Sequence, residues 1–548
     1  MRADRFGWLG PCGARALVSF LVCAGLLGPG PCPAAGEGLA RRNIVLIVAD
    51  NQSAIALGTY GNADVATPHI DALAREGVRF DRAYAASGMC SPTRATLLSG
   101  LMPSQHGLHN ALSDPWVDRQ EPGWSGVGEF RTLPLTLANR GYQTAMIGKW
   151  HLGDPRRPDL GFRHWVAIPY GHTTDFWHNE LVENGDLRRV DERHIVDALA
   201  EEAVEYLEEV DPSRPFFLQL NLDGPYALPP AVYGPARNRH YARHEGQRFQ
   251  SMPLEPVSDH ILTRLQGPYI PDQDLFELRD IDLVWDHLLH RTIRMQGDPA
   301  SYANFLSQNE IVDDAVGRVR EALEARGLMG NTVIVYTADQ GNGFGQHGHW
   351  GHTIWRSPAH LFDEAMRVPL IIVDPDGFSG VSQSLVGQYD MPPTLLELAG
   401  IQDVEFEGSP GRSFASQVRG GPEAARGREA VFFEQEESRG IRTGRHAYWK
   451  RLEGFGEPEL YDMQADPEQR VNLYPEMKDG PLVEELDARL EEFFESHSAP
   501  SYDLWRKGVS KGTPPKPIEW VWRNPWPWLQ KYWRDFVWRD SGPARFRE

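Results

Sequence analysis

The sequence predicts a doubly wound α/β fold. A mostly parallel sheet is flanked by helices, and a smaller antiparallel-sheet subdomain follows towards the C-terminus. Three observations carry this. The runs "NIVLIVAD" and "TVIVYTAD" are almost continuously apolar, as strands buried on both faces of a parallel sheet must be. Amphipathic helical patterns alternate with such runs. After about residue 425 the texture changes to short strands and turns, as in "AVFFEQ" and "GIRTGRHAYWKRL".

The elements follow in order. Arg2, Arg5 and Arg15 precede the apolar run Ala16 to Leu27 and the small-residue stretch "CPAAG", so residues 1–35 read as a signal peptide and the chain as exported, to a periplasm or outside the cell. That run is too short for a stable transmembrane helix, and no later segment qualifies. The main domain is placed at 42–420. It opens on the strand that ends at Asp50, with a helix through "TPHIDALAREGV". "TAMIG" is a strand leading into Lys149, Trp150 and His151, and Pro215 to Leu222 is a strand ending at Asp223. From 225 to 300 the pattern breaks into Pro-rich and Arg/His-rich sequence, an insertion over the carboxyl edge of the sheet. "NEIVDDAVGRVREALEARG" puts Ile311, Val312, Ala315, Val316, Val319 and Leu323 on one helical stripe, feeding the strand that ends at Asp339. "VPLIIVDP" is one more strand. The small sheet occupies 425–498, and a tail with seven tryptophans occupies 499–548.

The net charge of −21 excludes a general nucleic-acid or anionic-membrane binder, while leaving room for a local basic pocket. Of the four cysteines, three lie in the leader. Cys90 is then a lone thiol in an oxidising compartment, where a structural cysteine would be a liability. Its neighbours offer a different reading. Pro92 suits the first turn of a helix, which puts Cys90 at the helix N-terminus, where unpaired N–H groups favour an anion. Arg94 can fork toward an oxyanion.

The stretch Cys90-Ser91-Pro92-Thr93-Arg94, followed by Ala95 and "LLSG", resembles the signature of the formylglycine-dependent (type I) sulfatases of the alkaline-phosphatase-like superfamily. The resemblance implies that a maturation enzyme converts Cys90 to formylglycine. One hydroxyl of the hydrated aldehyde then attacks sulfur, and the other serves to expel sulfate. It implies one Ca²⁺, with Asp50 and Asn51 of "VADN" and Asp339 and Gln340 of "TADQGN" as ligands beside modified Cys90; oxygen donors of this kind suit a hard cation. "IGKWHLG" is similar to a further block of the family, with Lys149 holding the reacting group and His151 as base.

Some positions depart from the family. Asn51 stands where a second aspartate is usual. Tyr226 replaces a histidine, and no lysine lies between the second metal pair and "RVP", where His352 takes its place. His352 reads either as the acid protonating the leaving alcohol or as a mark of altered or weak activity. His347, His349 and His352 read as a loop of solvated histidines rather than a metal cluster. Gly171 stands where a small hydroxyl residue is expected, next to His172. The basic stretch holding Arg237 and Arg239 suits a sulfated saccharide, or equally a solvated charged loop. The expected activity is sulfuric ester hydrolysis, of the arylsulfatase-like type, on a sulfated glycan. The alternatives are a phosphate or phosphonate ester hydrolase of the same superfamily, and a glycan-binding protein of low turnover.

Overall fold

Apolar runs of seven to ten residues become the central strands of the sheet. In the computed structural model, residues 41–112, 120–171, 175–229, 231–258, 292–353, 359–420 and 427–511 are described. The proposed leader, His172 and most of the tryptophan-rich tail lie outside these residues. The strands are β1 (Asn43–Asp50), β2 (Val78–Tyr84), β3 (Gln143–Lys149), β4 (His164–Ile168), β5 (His178–Glu183) and β6 (Asp186–Asp191). They continue with β7 (Phe216–Pro225), β8 (Thr332–Ala338), β9 (Gly343–Phe344), β10 (Trp350–Gly351), β11 (Leu370–Val373) and β12 (Gly380–Gly387). Last come β13 (Ala430–Gln435), β14 (Ser438–Thr443), β15 (His446–Arg451) and β16 (Glu459–Asp462). The principal helices are α1 (Pro68–Glu76), α2 (Cys90–Ser99), α3 (Ile195–Glu209), α4 (Pro299–Ala325), α5 (Met391–Leu398) and α6 (Pro481–Ser496).

Ten strands form one sheet in the order β12-β2-β11-β8-β1-β7-β3-β4-β5-β6. Its centre, β8-β1-β7-β3-β4, is parallel throughout. β1, β7 and β8 are buried at every position, which is what their Ile, Val and Leu content demands. In such a sheet the carboxyl ends of the strands share one edge, so Asp50, Lys149 and Asp339 arrive there together. One irregularity matters. β1 and β7 keep register to Val48 opposite Asn221, and then Asp50 lies opposite Pro225. The extra length on β7 is a bulge that carries Asp223.

The strands expected from sequence are present as β1, β3, β7, β8 and β11, with one difference in direction. β11 runs antiparallel to β8 and β2. No long crossover helix separates β8 from β11 among the described residues, and an antiparallel pair needs none. The hairpin β5–β6 also lay unread, although Asn184 (φ 52°) and Gly185 (φ 92°) form the Asn-Gly turn that signals one.

α4 starts ten residues before the predicted helix, at Pro299, with Asp298 capping the N–H groups of Ala300 and Ser301. The predicted stripe is buried, but so are Asn304, Gln308, Asn309, Glu310 and Asp313 on its other sides. The basic segment covers them. His244 Nε2 lies 3.1 Å from Glu310, His240 Nε2 lies 2.6 Å from Asp314, and Arg239 pairs with Asp197 of α3 at 2.6 Å.

β13–β16 form a separate four-stranded antiparallel sheet, which packs with α6 around Ile441, Tyr448, Leu460, Leu486 and Leu490. The first residues of the predicted tail pack back onto this unit: Trp505 Nε1 donates to Glu436 O at 3.1 Å, and Arg439 lies over the Trp505 ring at 5.0 Å. No helix among the described residues is long and apolar enough to cross a membrane.

Candidate active site

Cys90 is the first residue of α2, and all ten residues of that helix are buried. The N-cap residue, Met89, makes no side-chain cap bond to its first turn, so the N-terminal N–H groups contribute positive potential where the Cys90 side chain begins. The thiol has a dense polar surrounding. Gln340 Nε2 donates to Sγ at 3.1 Å and Lys149 Nζ at 3.6 Å, while Asp50 Oδ1 and Asn51 Oδ1 each lie 3.9 Å away. Burial pushes the thiol up to about 12, so an unmodified Cys90 stays protonated and is a poor nucleophile.

Two cations hold the carboxylates in place. Lys149 Nζ donates to Asp50 Oδ2 at 2.8 Å, with both side chains fully buried. Arg94 donates from Nε and Nη2 to Asp339 Oδ2 at 3.0 and 2.8 Å, and its Nη2 stands 3.7 Å from Asp50 Oδ1. A third bond, from Arg94 Nη1 to Lys149 O at 3.1 Å, locks the fork. Burial alone would raise both carboxyl groups. For Asp339 it is outweighed by Arg94, Lys149 and the N–H groups of Asn51 and Gln340, which hold it below the usual carboxylate range. For Asp50 burial prevails over Lys149, so the ionised form depends on further positive charge.

The residues expected around this core are drawn in by different means. Asn51 adopts φ 57°, and its N–H donates to Asp339 Oδ1 at 3.0 Å, which ties the two strand ends together. Gln340 Nε2 also donates to Asn51 Oδ1. His151, at φ 56°, sets its Nε2 2.8 Å from Leu112 O, and Ser91 Oγ donates to the His151 carbonyl at 2.8 Å. Nε2 therefore carries the proton and Nδ1 is the basic nitrogen. Gly171 is explained by the same ring: a Cβ there would sit 2.5 Å from His151 Nε2, so no hydroxyl side chain fits at 171. Tyr226 places its ring under Lys149, with Nζ 5.3 Å from the ring centre, and its N–H donates to Asp50 O at 3.1 Å.

His352 is buried in the loop that follows β10. A Cβ on Gly88 would meet Thr353 Cγ2 at 2.1 Å, so glycine is what lets the His352 loop approach the segment before Cys90. Burial pushes the His352 imidazole down to about 3; Asp339 opposes this and Lys149 adds to it. Arg237 and Arg239 stand apart from this group. Arg237 lies over the Trp177 ring at 5.2 Å, and Arg239 is spent on Asp197 and Asp314 rather than presented to a ligand.

Sequence reasoning did not mark Asp223 as a site residue, although the fold brings it to this group. It is fully buried, and neither carboxylate oxygen finds a hydrogen-bond partner among the described residues. Burial raises its carboxyl, while Lys149 and Arg94 pull it down, which places it in the field of the same two cations. Its bulge gave no sequence signal. The small sheet also reaches the site: Gln435 Oε1 accepts from Ser87 Oγ at 2.7 Å and Gly88 N at 3.3 Å.

A centre with two carboxylates, two amides and a lone cysteine at a helix N-terminus, all buried, can hold a divalent cation beside an anionic ester. The Asp50, Cys90 and Asp339 ligand atoms lie within 4.8 Å of one another. Comparison with known proteins identifies relatives that act on sulfate esters. The family profile described as "Sulfatase" matches residues 42–401, and one described as "N-sulphoglucosamine sulphohydrolase, C-terminal" matches 348–496. The chain is 27% identical over 507 residues to an N-acetylglucosamine-6-O-sulfatase of Bacteroides thetaiotaomicron, covering 83% of this chain and 87% of that protein. It is 28% identical over 384 residues to the human N-sulphoglucosamine sulphohydrolase, covering 68% and 63%. Among solved structures, a protein in complex with its substrate D-glucosamine-2-N,6-O-disulfate superposes with TM-score 0.64 at 24% identity, covering 83% of this chain and 98% of that one.

Proposed function

The chain belongs to the sulfatase family, whose members are sulfuric ester hydrolases, and on that premise we propose that it removes sulfate from a sulfated saccharide, using a formylglycine made from Cys90 and one Ca²⁺. The observation that carries this reading is the setting of Cys90: a buried, protonated thiol has no use among two cations and three carboxylates, whereas an oxygen nucleophile at a cation does. The relatives named for N-acetylglucosamine 6-O-sulfate and N-sulphoglucosamine, and the neighbour holding a glucosamine disulfate, support a sulfated glucosamine as the substrate unit. The charged-apolar-small pattern of residues 1–35 supports export.

The donor set fits a hard divalent ion. Asp50 and Asp339 offer carboxylate oxygens, and the Asn51 and Gln340 amides offer carbonyl oxygens. Asn51 Oδ1 already faces the centre, where it accepts from Gln340 Nε2, and its Nδ2 is buried without a partner among the described residues, so turning Gln340 would free the Asn51 oxygen for an ion. Asp223 supplies the negative charge that Asn51 lacks. The ion and the modified Cys90 supply Lewis acidity and the nucleophile. Lys149 favours the ionised form of Asp50 alongside the ion and positions its own charge 3.6 Å from Cys90 Sγ. Arg94 fixes Asp339. His151, with Nδ1 as its basic nitrogen, takes a proton from residue 90. His352 protonates the leaving alcohol; a bound sulfate acts on it in the same sense as Asp339, so its proton uptake is coupled to substrate binding.

The test is the mass of the tryptic peptide Ala83–Arg94 from natively produced protein, followed by sulfate release from sulfated glucosamines. Formylglycine with release is the expected result, and unmodified cysteine throughout would overturn the mechanism. The neutral His352 favours one second reading, a low-turnover glycan-binding protein. Tight glycan binding without sulfate release from modified protein would favour it.

A further inference from the structure

The histidines read as a solvated loop are not solvated. His349 is 1% exposed, and His360, eleven residues on, is 0% exposed. Their rings meet at 4.5 Å between centres and 68° between planes. Glu364 completes the group at 6% exposure, and one ligand atom from each of His349, His360 and Glu364 lies within 4.8 Å of the others. His347 stands alongside, its Nε2 3.6 Å from Glu364 Oε1 and its ring stacked on Phe362 at 3.8 Å. None of these residues belongs to the Asp50–Cys90 centre.

We propose that His349, His360 and Glu364 form a second, separate metal site that takes a divalent transition ion of the zinc class. Two imidazoles and one carboxylate are the donor set of a borderline cation, in contrast to the all-oxygen set around Asp50. In a tetrahedral site with bonds of about 2.0–2.1 Å the ligand atoms lie about 3.3 Å apart, so side chains within 4.8 Å need contract by only about 1–1.5 Å. The backbone makes room for this. A Cβ on Gly343 would stand 3.4 Å from Glu364 Cγ and 3.5 Å from His349 Nε2, so glycine leaves the face of the cluster open. Glu364 Oε1 is buried and makes no hydrogen bond among the described residues, which is an expensive state for a carboxylate that nothing coordinates. His347 is placed to enter as fourth ligand or to leave that position to water.

The consequence is mechanical. His349 lies on the β9–β10 hairpin, and His360 and Glu364 lie on the segment that leads to β11. An ion between them pins the hairpin, and with it His352, three residues beyond His349, against the body of the fold. The site is structural, on this reading, and acts on the known centre only through position.

The test uses the full chain saturated with Ca²⁺, so that the oxygen site is occupied, titrated with Zn²⁺ and with Co²⁺. Metal content after gel filtration and the visible spectrum of bound Co²⁺ are read. The expected result is one tightly held Zn²⁺ per chain and an intense four-coordinate Co²⁺ spectrum. His360→Gln and Glu364→Gln should each weaken binding at least about a hundredfold, since even losing an outer-shell partner costs 10–100-fold. The wild-type Co²⁺ spectrum needs no variant to fold. A six-coordinate or absent Co²⁺ spectrum, or Zn²⁺ binding unchanged in both variants, overturns the proposal.

Discussion

Lys149→Met tests the electrostatic logic of the centre. The Lys149–Asp50 pair spans 2.8 Å with both side chains 0% exposed. At an effective dielectric near 20 its Coulomb attraction is about 6 kcal/mol. Part of that is returned when the buried ammonium is removed, and breaking such pairs costs about 3–5 kcal/mol. A body of roughly 470 residues unfolds with an entropy near 1 kcal/mol/K, so the metal-free midpoint should fall by about 3–5 °C. Adding Ca²⁺ reverses the argument. With all three carboxylates ionised, as a bound ion favours, Asp50, Asp223 and Asp339 stand against Lys149 and Arg94, a net charge of −1 with Cys90 protonated. Without Lys149 the net charge is −2, and a divalent ion gains more. The assay is thermal unfolding of wild type and variant, in chelator and in saturating Ca²⁺, at one scan rate. The Ca²⁺-induced rise should be larger in the variant than in wild type. An equal or smaller rise would refute the view that these carboxylates hold the cation and Lys149 competes with it.

Three further outcomes follow from the same geometry. Asp223→Asn removes a buried carboxyl group that sits beside Asp50 and accepts no hydrogen bond from an N–H or hydroxyl donor among the described residues, so it should raise the metal-free midpoint while reducing the Ca²⁺-induced shift, both read in the same scans. If both quantities fall together, Asp223 is a structural residue and not a charge on the ion. His352→Ala should lower kcat by about 10²–10⁴ on a saccharide sulfate, whose alkoxide leaves poorly, and much less on an aryl sulfate, whose phenolate needs no acid; equal losses on the two would remove His352 from that role. His194 caps α3, holds Gln308 at 2.8 Å and is pushed down to about 4 by burial. A depressed histidine contributes stability that is present above its unfolded value near 6.5 and lost as pH falls toward 4. Wild type should therefore lose roughly 2 kcal/mol more than His194→Gln between pH 7 and pH 5 in denaturant titrations, and parallel curves would exclude the assignment.

How much of this was legible in the sequence depends on whether a residue's partners are set by regular structure. Asp50, Lys149 and Asp339 could be read together because parallel strands bring their carboxyl ends to one edge, and a run such as "NIVLIVAD" announces both the strand and its end. Cys90 could be read because a proline in a first turn fixes where a helix begins. Asp223 could not, since a bulge is a failure of register between β1 and β7 and leaves no periodic trace. The basic stretch was misjudged for a related reason. Its charges were visible, but the acids that absorb them, Asp197, Glu310 and Asp314, lie on two helices distant in sequence, and α4 hides its polar side where an amphipathic pattern would expose it. The histidines near 350 present the same difficulty in sharper form. Counted along the chain, His347, His349 and His352 look like one group, yet the fold divides it: His352 goes to the Asp339 field, while His349, with His347 alongside, joins His360 and Glu364. Gly351 (φ 134°), at the end of the hairpin of two-residue strands and between His349 and His352, makes that division, and its conformation leaves the two histidines facing different neighbours. Spacing in sequence therefore predicts shared chemistry only where a helix or strand carries the residues; across glycine turns of this kind, the partner is decided by what the turn faces.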